Sequence, residues 1–314
     1  MTPRASSRKS MALVALLLTL IASACGQATA PEQDPPEVEE EVHMCGPSHE
    51  PRLAVIRKLD FIRAEGDISR GMNLDMHVSA SDSSEGCFKS DYTTPDGVEG
   101  IDNQFARLLP AIEAVGGAEG FESAVQRAIN NGDVLLGVQL QRLEDIEQDA
   151  CLEVRFQRLD GRPTIGALGL IEPGQTFDPD LEAPTSSVED AIIEGGILYA
   201  GPFELSLPMQ IGNNQLLVTI FDAQIEAHVR EDGSIEGMMA GAIEVAEILA
   251  LLETIEDGTD LLGVIRSVLS RSADLDKDEN GKCQKLSLAV DFQATPAFFY
   301  EDADAPSPLE TEQQ

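Results

Sequence analysis

Strict alternation of apolar and polar residues is the feature that most constrains the fold of this chain. Leu152, Val154 and Phe156, for example, alternate with Glu153 and Arg155. Successive side chains of a β-strand point to opposite faces, so this pattern predicts a strand with one face buried. Further runs of the same kind, some less regular, lie at residues 134–140, 215–230, 234–243 and 286–292. The chain is therefore expected to be mainly β.

Short polar segments are expected to join these runs into antiparallel pairs. The acidic turn Glu144–Asp149 separates the runs at residues 134–140 and 152–156. Asp232-Gly233 has the composition of a hairpin turn between the runs at residues 215–230 and 234–243. Weaker strand candidates are residues 55–62, 72–79, 192–198 and 203–209.

Helical segments interrupt the strands. The apolar residues of Phe121–Ile129 fall on one helical face, and Asn131-Gly132 supplies a stop signal. Asp102 is expected to cap a helix over residues 103–109, which Pro110 then bends or ends. A helical pair is expected at residues 246–255 and 260–271. Together these elements predict a mainly β fold with helical insertions (α+β), arranged as an antiparallel β-sandwich or a jelly-roll-like single domain.

The N-terminus carries an export signal. Basic residues precede the apolar run 11–22, and the small residues Ser23 and Ala24 follow it, as in secretory signal peptides. The next residue is Cys25, and this arrangement resembles the bacterial lipobox, with Ala22 in place of the usual leucine. The resemblance implies that residues 1–24 are a lipoprotein signal peptide and that Cys25 carries lipid. Gly26 follows where an Asp would resemble the inner-membrane retention signal, so the outer membrane is expected, facing the periplasm or the exterior.

The rest of the chain divides by composition. Residues 25–50 are rich in Pro and Glu and predict an acidic, extended tether. Residues 51–300 are expected to form the β-rich globular domain, with a possible subdomain break at the Gly- and Pro-containing stretch 161–184. Residues 301–314 are acidic and are expected to be a disordered tail.

Charge excludes one large class of function. The formal net charge is −35 at pH 7, whereas proteins that bind nucleic acid rely on basic residues that displace counterions from phosphates. Anionic lipid surfaces would also repel such a chain. The expected membrane contact is therefore the N-terminal lipid alone, and the chain has no expected nucleic-acid partner.

Five cysteines are present, and one is assigned to the lipid. The remaining four, Cys45, Cys87, Cys151 and Cys283, form an even number in an oxidising compartment, which predicts two disulfides. Three pairings are possible, and the spacing does not choose among them. No C-x-x-C motif occurs, which disfavours a redox site or a cysteine zinc site.

A calcium half-loop is the sharpest local motif. Asp276, Asp278 and Asn280, followed by Gly281, match the first half of an EF-hand loop, D-x-D-x-[DN]-G. Alternate oxygen ligands on a tight turn can converge on one Ca²⁺, with the backbone carbonyl of Lys282 at the seventh position.

The match ends there. Ser287 stands where an EF-hand has its bidentate Glu, and Gln284 is at the ninth position, so the expected affinity is weak, about 10⁻⁴ to 10⁻³ M. Asp274 precedes the loop and is positioned in sequence to assist. A second acidic loop, Asp91–Asn103, is a weaker metal candidate that would complete the same site. The alternative is a polar turn that uses Asp and Gly for their backbone geometry.

Two groups of residues together resemble a group of uncharacterised lipoproteins of Gram-negative bacteria. The first is Cys87…Asp91…Pro95-Asp96-Gly97…Gly100-Ile101-Asp102-Asn103-Gln104, and the second is Asp276…Gly281 with the strand that follows it. The resemblance implies a shared fold and compartment, and it implies no activity.

Enzyme motifs are missing from the sequence. It contains no H-E-x-x-H, no G-x-S-x-G and no P-loop, and His77 and His228 stand alone. No catalytic residue is assigned. The function expected is that of a lipid-anchored envelope protein of binding or structural type, stabilised by Ca²⁺, with an unknown ligand or protein partner. The alternative is a carboxylate-dependent hydrolase acting on cell-envelope polymers.

Overall fold

The computed structural model describes residues 50–84, 86–116, 120–211, 214–255 and 261–300. The signal peptide, Cys25, the tether up to residue 49 with Cys45, and the acidic tail all lie outside the described residues.

The described residues form twelve strands and four helices. The strands are β1 (Arg52–Phe61), β2 (Tyr92–Thr93), β3 (Glu99–Ile101), β4 (Leu136–Gln141), β5 (Gln148–Asp160), β6 (Gln175–Pro179), β7 (Ser186–Glu194), β8 (Ile197–Ile211), β9 (Asn214–Val229), β10 (Ile235–Glu244), β11 (Leu275–Lys277) and β12 (Cys283–Phe299). The helices are α1 (Phe105–Gly116), α2 (Gly120–Asn131), α3 (Val245–Ile255) and α4 (Leu261–Ser272).

Eight of these strands close into an antiparallel β-barrel. Around the barrel they follow chain order, β1, β4, β5, β7, β8, β9, β10 and β12, and β12 pairs with β1 to complete the ring. Each barrel strand therefore has two neighbours, which removes the free edges of an open sheet. The expected sandwich or jelly-roll is wrong, because both require two separate sheets. The mainly β character and the helical insertions are confirmed.

The barrel is filled by apolar side chains. On β12, Leu286, Leu288, Val290 and Phe292 alternate with polar or small residues and belong to one large buried cluster. Inward-facing residues of the other barrel strands join this cluster, and so do side chains from α1, α3 and α4. A barrel of about eight strands has just enough room for such side chains.

Two insertions cover parts of the outer face. Helix α2 contributes Ile129 to a second buried cluster with Leu53 and Val55, which are outward residues of β1. Residues 62–104, here called the cover segment, connect β1 to α1 and contain β2 and β3. In this segment Ile62 and Met72 pack against Ala240 of β10 and Ala289 of β12.

Most local predictions are confirmed. β4 and β5 pair across the acidic turn, β9 and β10 pair across the Asp232-Gly233 hairpin, and α3 and α4 match the expected helical pair. Helix α2 ends at Asn131, where Gly132 takes a φ of +84°.

Three local predictions are wrong. Residues 72–79 form an isolated bridge at Met72, followed by bends and irregular backbone within the cover segment, not a strand. Residues 192–198 contain the Gly195-Gly196 turn between β7 and β8, not one strand. Asp102 does not cap α1, which begins at Phe105 and continues past Pro110 to Gly116.

Candidate functional site

A solvent-open groove of about 600 Å³ lies between the cover segment and the outer face of β9, β10 and β12. We call it the outer groove. Its lining includes Arg70, Met72 and Asp96 from the cover segment and Glu226, Met238 and Asp291 from the barrel. Its volume is within the range of small-ligand sites in proteins.

The register of the sheet places the barrel residues of the groove in one row. Glu226 lies opposite Met238, and Met238 lies opposite Asp291 on the next strand. The flanking residues Ala227 and Met239 are buried in the barrel, so Glu226 and Met238 face outward. Neighbouring strands are about 4.8 Å apart, so two strand spacings, about 10 Å, separate the backbone positions of Glu226 and Asp291.

The lining of the outer groove is acidic. Asp291 forms an ion pair with Arg70, whereas Glu226 makes no ion pair with any residue in the described part of the chain. A hydrogen bond with the Thr94 hydroxyl lowers the pKa of Asp96 from its ordinary value, which keeps this exposed carboxylate charged. Three carboxylates thus share the groove with one arginine and one histidine, His228.

A smaller cavity of about 280 Å³ continues the outer groove. It shares Met72 and Glu226 with the groove and adds Tyr199. Tyr199 lies opposite Glu226 on β8, and 39% of its surface is exposed. An aromatic ring at this end offers a face on which a cation can stack.

Buried hydrogen bonds hold the cover segment against β12. The Asn103 side chain accepts a hydrogen bond from the Ala289 backbone N–H at 3.2 Å and donates to the Ser69 hydroxyl at 3.0 Å. The Gln104 backbone N–H donates to the Ser287 hydroxyl at 2.8 Å. Since Asn103, Gln104 and Ser287 are at most 1% exposed, these bonds are shielded from water and fix the cover segment on the barrel.

Two buried carboxyl groups extend this polar cluster. Asp274 accepts hydrogen bonds from the backbone N–H and the hydroxyl of Ser287, at 2.9 and 2.5 Å. Burial raises the pKa of Asp274 to about 7. Asp102 accepts a hydrogen bond from the Leu74 backbone N–H at 2.7 Å. Burial, followed by repulsion from Asp274 and Asp75, raises the pKa of Asp102 to about 8.

A disulfide joins Cys87 of the cover segment to Cys283 at the start of β12. It links residues 196 positions apart in sequence. Cys151 on β5 is also disulfide-bonded. The sequence predicted bonded cysteines at these positions, and the Cys87–Cys283 pairing is one of the alternatives it left open.

The predicted calcium loop forms the turn of the β11–β12 hairpin. The Asp276 carboxylate lies 3.1 Å from the Lys285 ammonium, so these two residues form an ion pair at the end of the hairpin. Asp278 accepts hydrogen bonds from the backbone N–H groups of Asn280 and Lys282, each at 2.9 Å.

The Lys282 carbonyl, another of the proposed ligand oxygens, also has protein partners. The Lys282 carbonyl accepts hydrogen bonds from the Asp278 backbone N–H at 2.9 Å and from the Gln284 side chain at 2.8 Å. In the part of the chain that the structure describes, no group of three or more His, Cys, Asp or Glu residues is arranged to hold a metal. Calcium binding at this turn stays a prediction.

The second acidic loop meets a different part of the late sequence from the one expected. Asp102–Gln104 lies at Ser287, Ala289 and Asp274, and no hydrogen bond joins it to Asp276 in the described residues. Early and late parts of the chain are therefore tied together, and the ties are buried protein–protein hydrogen bonds.

The isolated histidines lie on the surface. His77 is exposed in a turn of the cover segment. His228 is on the outer face of β9, where its Nδ1 lies 3.1 Å from the Gly196 carbonyl oxygen.

Sequence reasoning did not find the outer groove. Its residues come from distant parts of the chain, and the Arg70–Asp291 ion pair, for example, spans 221 positions. The alternating pattern marks Glu226 and Asp291 only as outward residues of strands.

Comparisons with known proteins give no relative. No protein-family model matches the chain, and neither a curated protein nor a solved structure matches it significantly.

None of the described helices combines the length and the apolar character needed to cross a bilayer.

Proposed function

We propose that this chain is a lipid-anchored protein of the cell envelope that acts by binding, with the outer groove as its binding site. The observation that carries the proposal is a solvent-open, acidic groove built on the outer face of a closed barrel. The apolar filling of the barrel supports its role as a scaffold, because a close-packed interior holds the surrounding strands in fixed positions.

The placement of the carboxyl groups favours binding over hydrolysis. A carboxylate-dependent hydrolase needs an acid of raised pKa facing its substrate. The two carboxyls whose pKa is raised most, those of Asp102 and Asp274, are 1% and 2% exposed and are hydrogen-bonded within the cluster that holds the cover segment. Neither lines the outer groove.

The anchor is proposed from the N-terminal sequence. The lipobox-like segment ending at Cys25, followed by Gly26, favours lipid attachment and the outer membrane. The acidic, Pro-containing stretch after it is suited to keeping a folded domain away from an anionic surface.

Anchorage is tested by labelling with radioactive palmitate in a Gram-negative host. The wild-type chain is expected to incorporate the label and to fractionate with the outer membrane, and Cys25→Ser is expected to do neither. Equal labelling of both forms, or recovery of the wild-type chain from the soluble fraction, would contradict the anchor.

The binding role is tested with methionine methyl groups as reporters. The purified full chain is labelled with ¹³C at its methionine methyl groups. Met72 and Met238 line the groove and report on it, whereas Met239 is buried inside the barrel and serves as the internal control. The protein is titrated with one cationic, one anionic and one neutral small probe: agmatine, glucuronate and glucose. At least one probe is expected to shift the methyl signals of Met72 and Met238 saturably while the signal of Met239 is unchanged. A groove that responds to none of the three is not a binding site.

A further inference from the structure

Resting on the binding role proposed above, we infer that the outer groove takes a basic peptide segment with two cationic side chains about three residues apart. The charges of the lining and their spacing across the strands point to this ligand chemistry.

The charge of the lining selects a cation. Glu226 is exposed and has no ion-pair partner among the described residues, so it is available to a ligand. Arg70 pairs with Asp291, and the other charged or basic lining residues in the described part of the chain are Asp96, Glu226 and His228. An incoming cation therefore meets Glu226, which has no ion-pair partner among the described residues, and a lining in which carboxylates outnumber the one arginine.

The space between these two ends is apolar. Met238 lies between Glu226 and Asp291 in the row, and Met72 of the cover segment lines the same groove. Methionine side chains are flexible and adapt to varied apolar partners. The central part of the ligand is thus expected to be apolar, with its charges at the ends.

The spacing of the carboxylates matches a peptide. Glu226 and Asp291 stand about 10 Å apart at their backbones, two strand spacings. In a polyproline II segment, residues i and i+3 lie on the same face and about 9 Å apart. Two arginines at these positions would each reach one end of the row, and the exposed ring of Tyr199 would stack on the guanidinium next to Glu226.

The test uses the acetylated, amidated tetrapeptide Arg-Leu-Pro-Arg and the acidic control Glu-Leu-Pro-Glu on the same ¹³C-methionine protein. The basic peptide is expected to shift the methyl signals of Met72 and Met238 saturably, and the acidic peptide is expected to shift neither signal. Because the contacts are ionic, raising the salt from 50 to 500 mM is expected to weaken binding severalfold.

Matched variants locate the contact. Glu226→Gln is expected to weaken peptide binding about threefold, the usual size of one partly exposed ion pair. Glu204→Gln removes the same charge from an exposed position on β8 that does not line the groove, and it is expected to leave binding unchanged. An unshifted Met239 signal shows that each variant keeps its fold.

Three results would overturn the inference: equal shifts from the acidic peptide, equal weakening by both variants, or Ca²⁺ alone shifting the two methionines more strongly than the peptide. If the anionic or neutral probe binds the groove and the basic peptide does not, the inference fails while the binding role stands. If no probe or peptide binds, both fail.

Discussion

At the scale of single residues, the least expected feature is the burial of Asp102 and Asp274 in a chain with so many exposed carboxylates. Asp102 follows two glycines in an acidic loop, and its sequence context is typical of a helix cap. In the structure its carboxylate turns instead to the backbone N–H of Leu74. The sequence shows that these carboxylates exist, but their burial depends on a cover segment whose hydrogen bonds to β12 join residues 183 and 186 positions apart along the chain.

The two buried carboxyls give the protein a pH dependence of definite sign. Their pKa values, about 8 for Asp102 and about 7 for Asp274, lie above the ordinary value of 3.8. The folded protein therefore holds protons that the unfolded chain releases. Each group contributes a decrease in the free energy of unfolding of about 1.4 kcal/mol per pH unit between its unfolded and folded pKa values.

Asp102→Asn is expected to reduce this dependence. From pH 5 to pH 8.5, the free energy of unfolding of the variant relative to wild type should rise by at least about 2 kcal/mol. The reason is that the wild type loses stability over this range as buried Asp102 becomes charged, whereas the asparagine does not titrate. Urea unfolding at the two pH values measures the difference. The exposed Asp82→Asn is the control and should track the wild type. A constant difference between Asp102→Asn and wild type would contradict the assignment.

At the scale of elements, the cover segment is attached to the barrel by one covalent bond and a set of buried hydrogen bonds. The Cys87–Cys283 disulfide joins it to the start of β12, and Asn103 and Gln104 join it to Ser287 and Ala289 further along the same strand. Since the cover segment forms one side of the outer groove, these attachments also fix the shape of the groove.

Removing the disulfide is expected to destabilise the protein. The double variant Cys87→Ser/Cys283→Ser should lose about 2–4 kcal/mol of unfolding free energy, because the bond closes a long loop in the unfolded chain. Urea titration of the variant against wild type measures this without disturbing the bond at Cys151. A loss below about 0.5 kcal/mol would show that the bond adds little to the attachment of the cover segment.

The hairpin β11–β12 allows the calcium prediction to be tested directly. A site with a Kd of about 1 mM would be stabilised by about 1.4 kcal/mol in 10 mM Ca²⁺. The prediction is thus a rise in Tm of a few degrees on adding Ca²⁺, reversed by chelator and lost in Asp278→Asn. An unchanged Tm would leave the motif as the hairpin turn that its hydrogen bonds describe.

At the scale of the whole molecule, closure of the barrel is the feature that local sequence does not reveal. The alternation in β12 predicts a strand with one apolar face. The same alternation is found in a sandwich, a jelly-roll and a barrel, because in each case one face of every strand is buried. The pairing of β1 with β12, for example of Leu53 with Ala297, determines that the strands close into a barrel. A pairing between the first and last strands of the barrel leaves no pattern in the sequence of either strand alone.

The outer groove is a consequence of this closure. Glu226 and Asp291 become neighbours in one row only because β9, β10 and β12 are adjacent in the ring, and Asp96 joins them only because the cover segment returns over that face. We therefore propose, as one joint claim, that the chain is held to a membrane by a lipid on Cys25 and that it presents an acidic groove to basic ligands.

One sedimentation experiment tests this claim most directly. The full chain, produced in a Gram-negative host, is mixed with vesicles of neutral phosphatidylcholine and with fluorescent Arg-Leu-Pro-Arg peptide, and the vesicles are then collected. Wild type is expected to carry the peptide into the pellet, Glu226→Gln to bind it about threefold more weakly, and Cys25→Ser to leave protein and peptide in the supernatant. If Cys25→Ser carries as much peptide into the pellet as wild type, or if Glu226→Gln binds it equally tightly, the claim is contradicted.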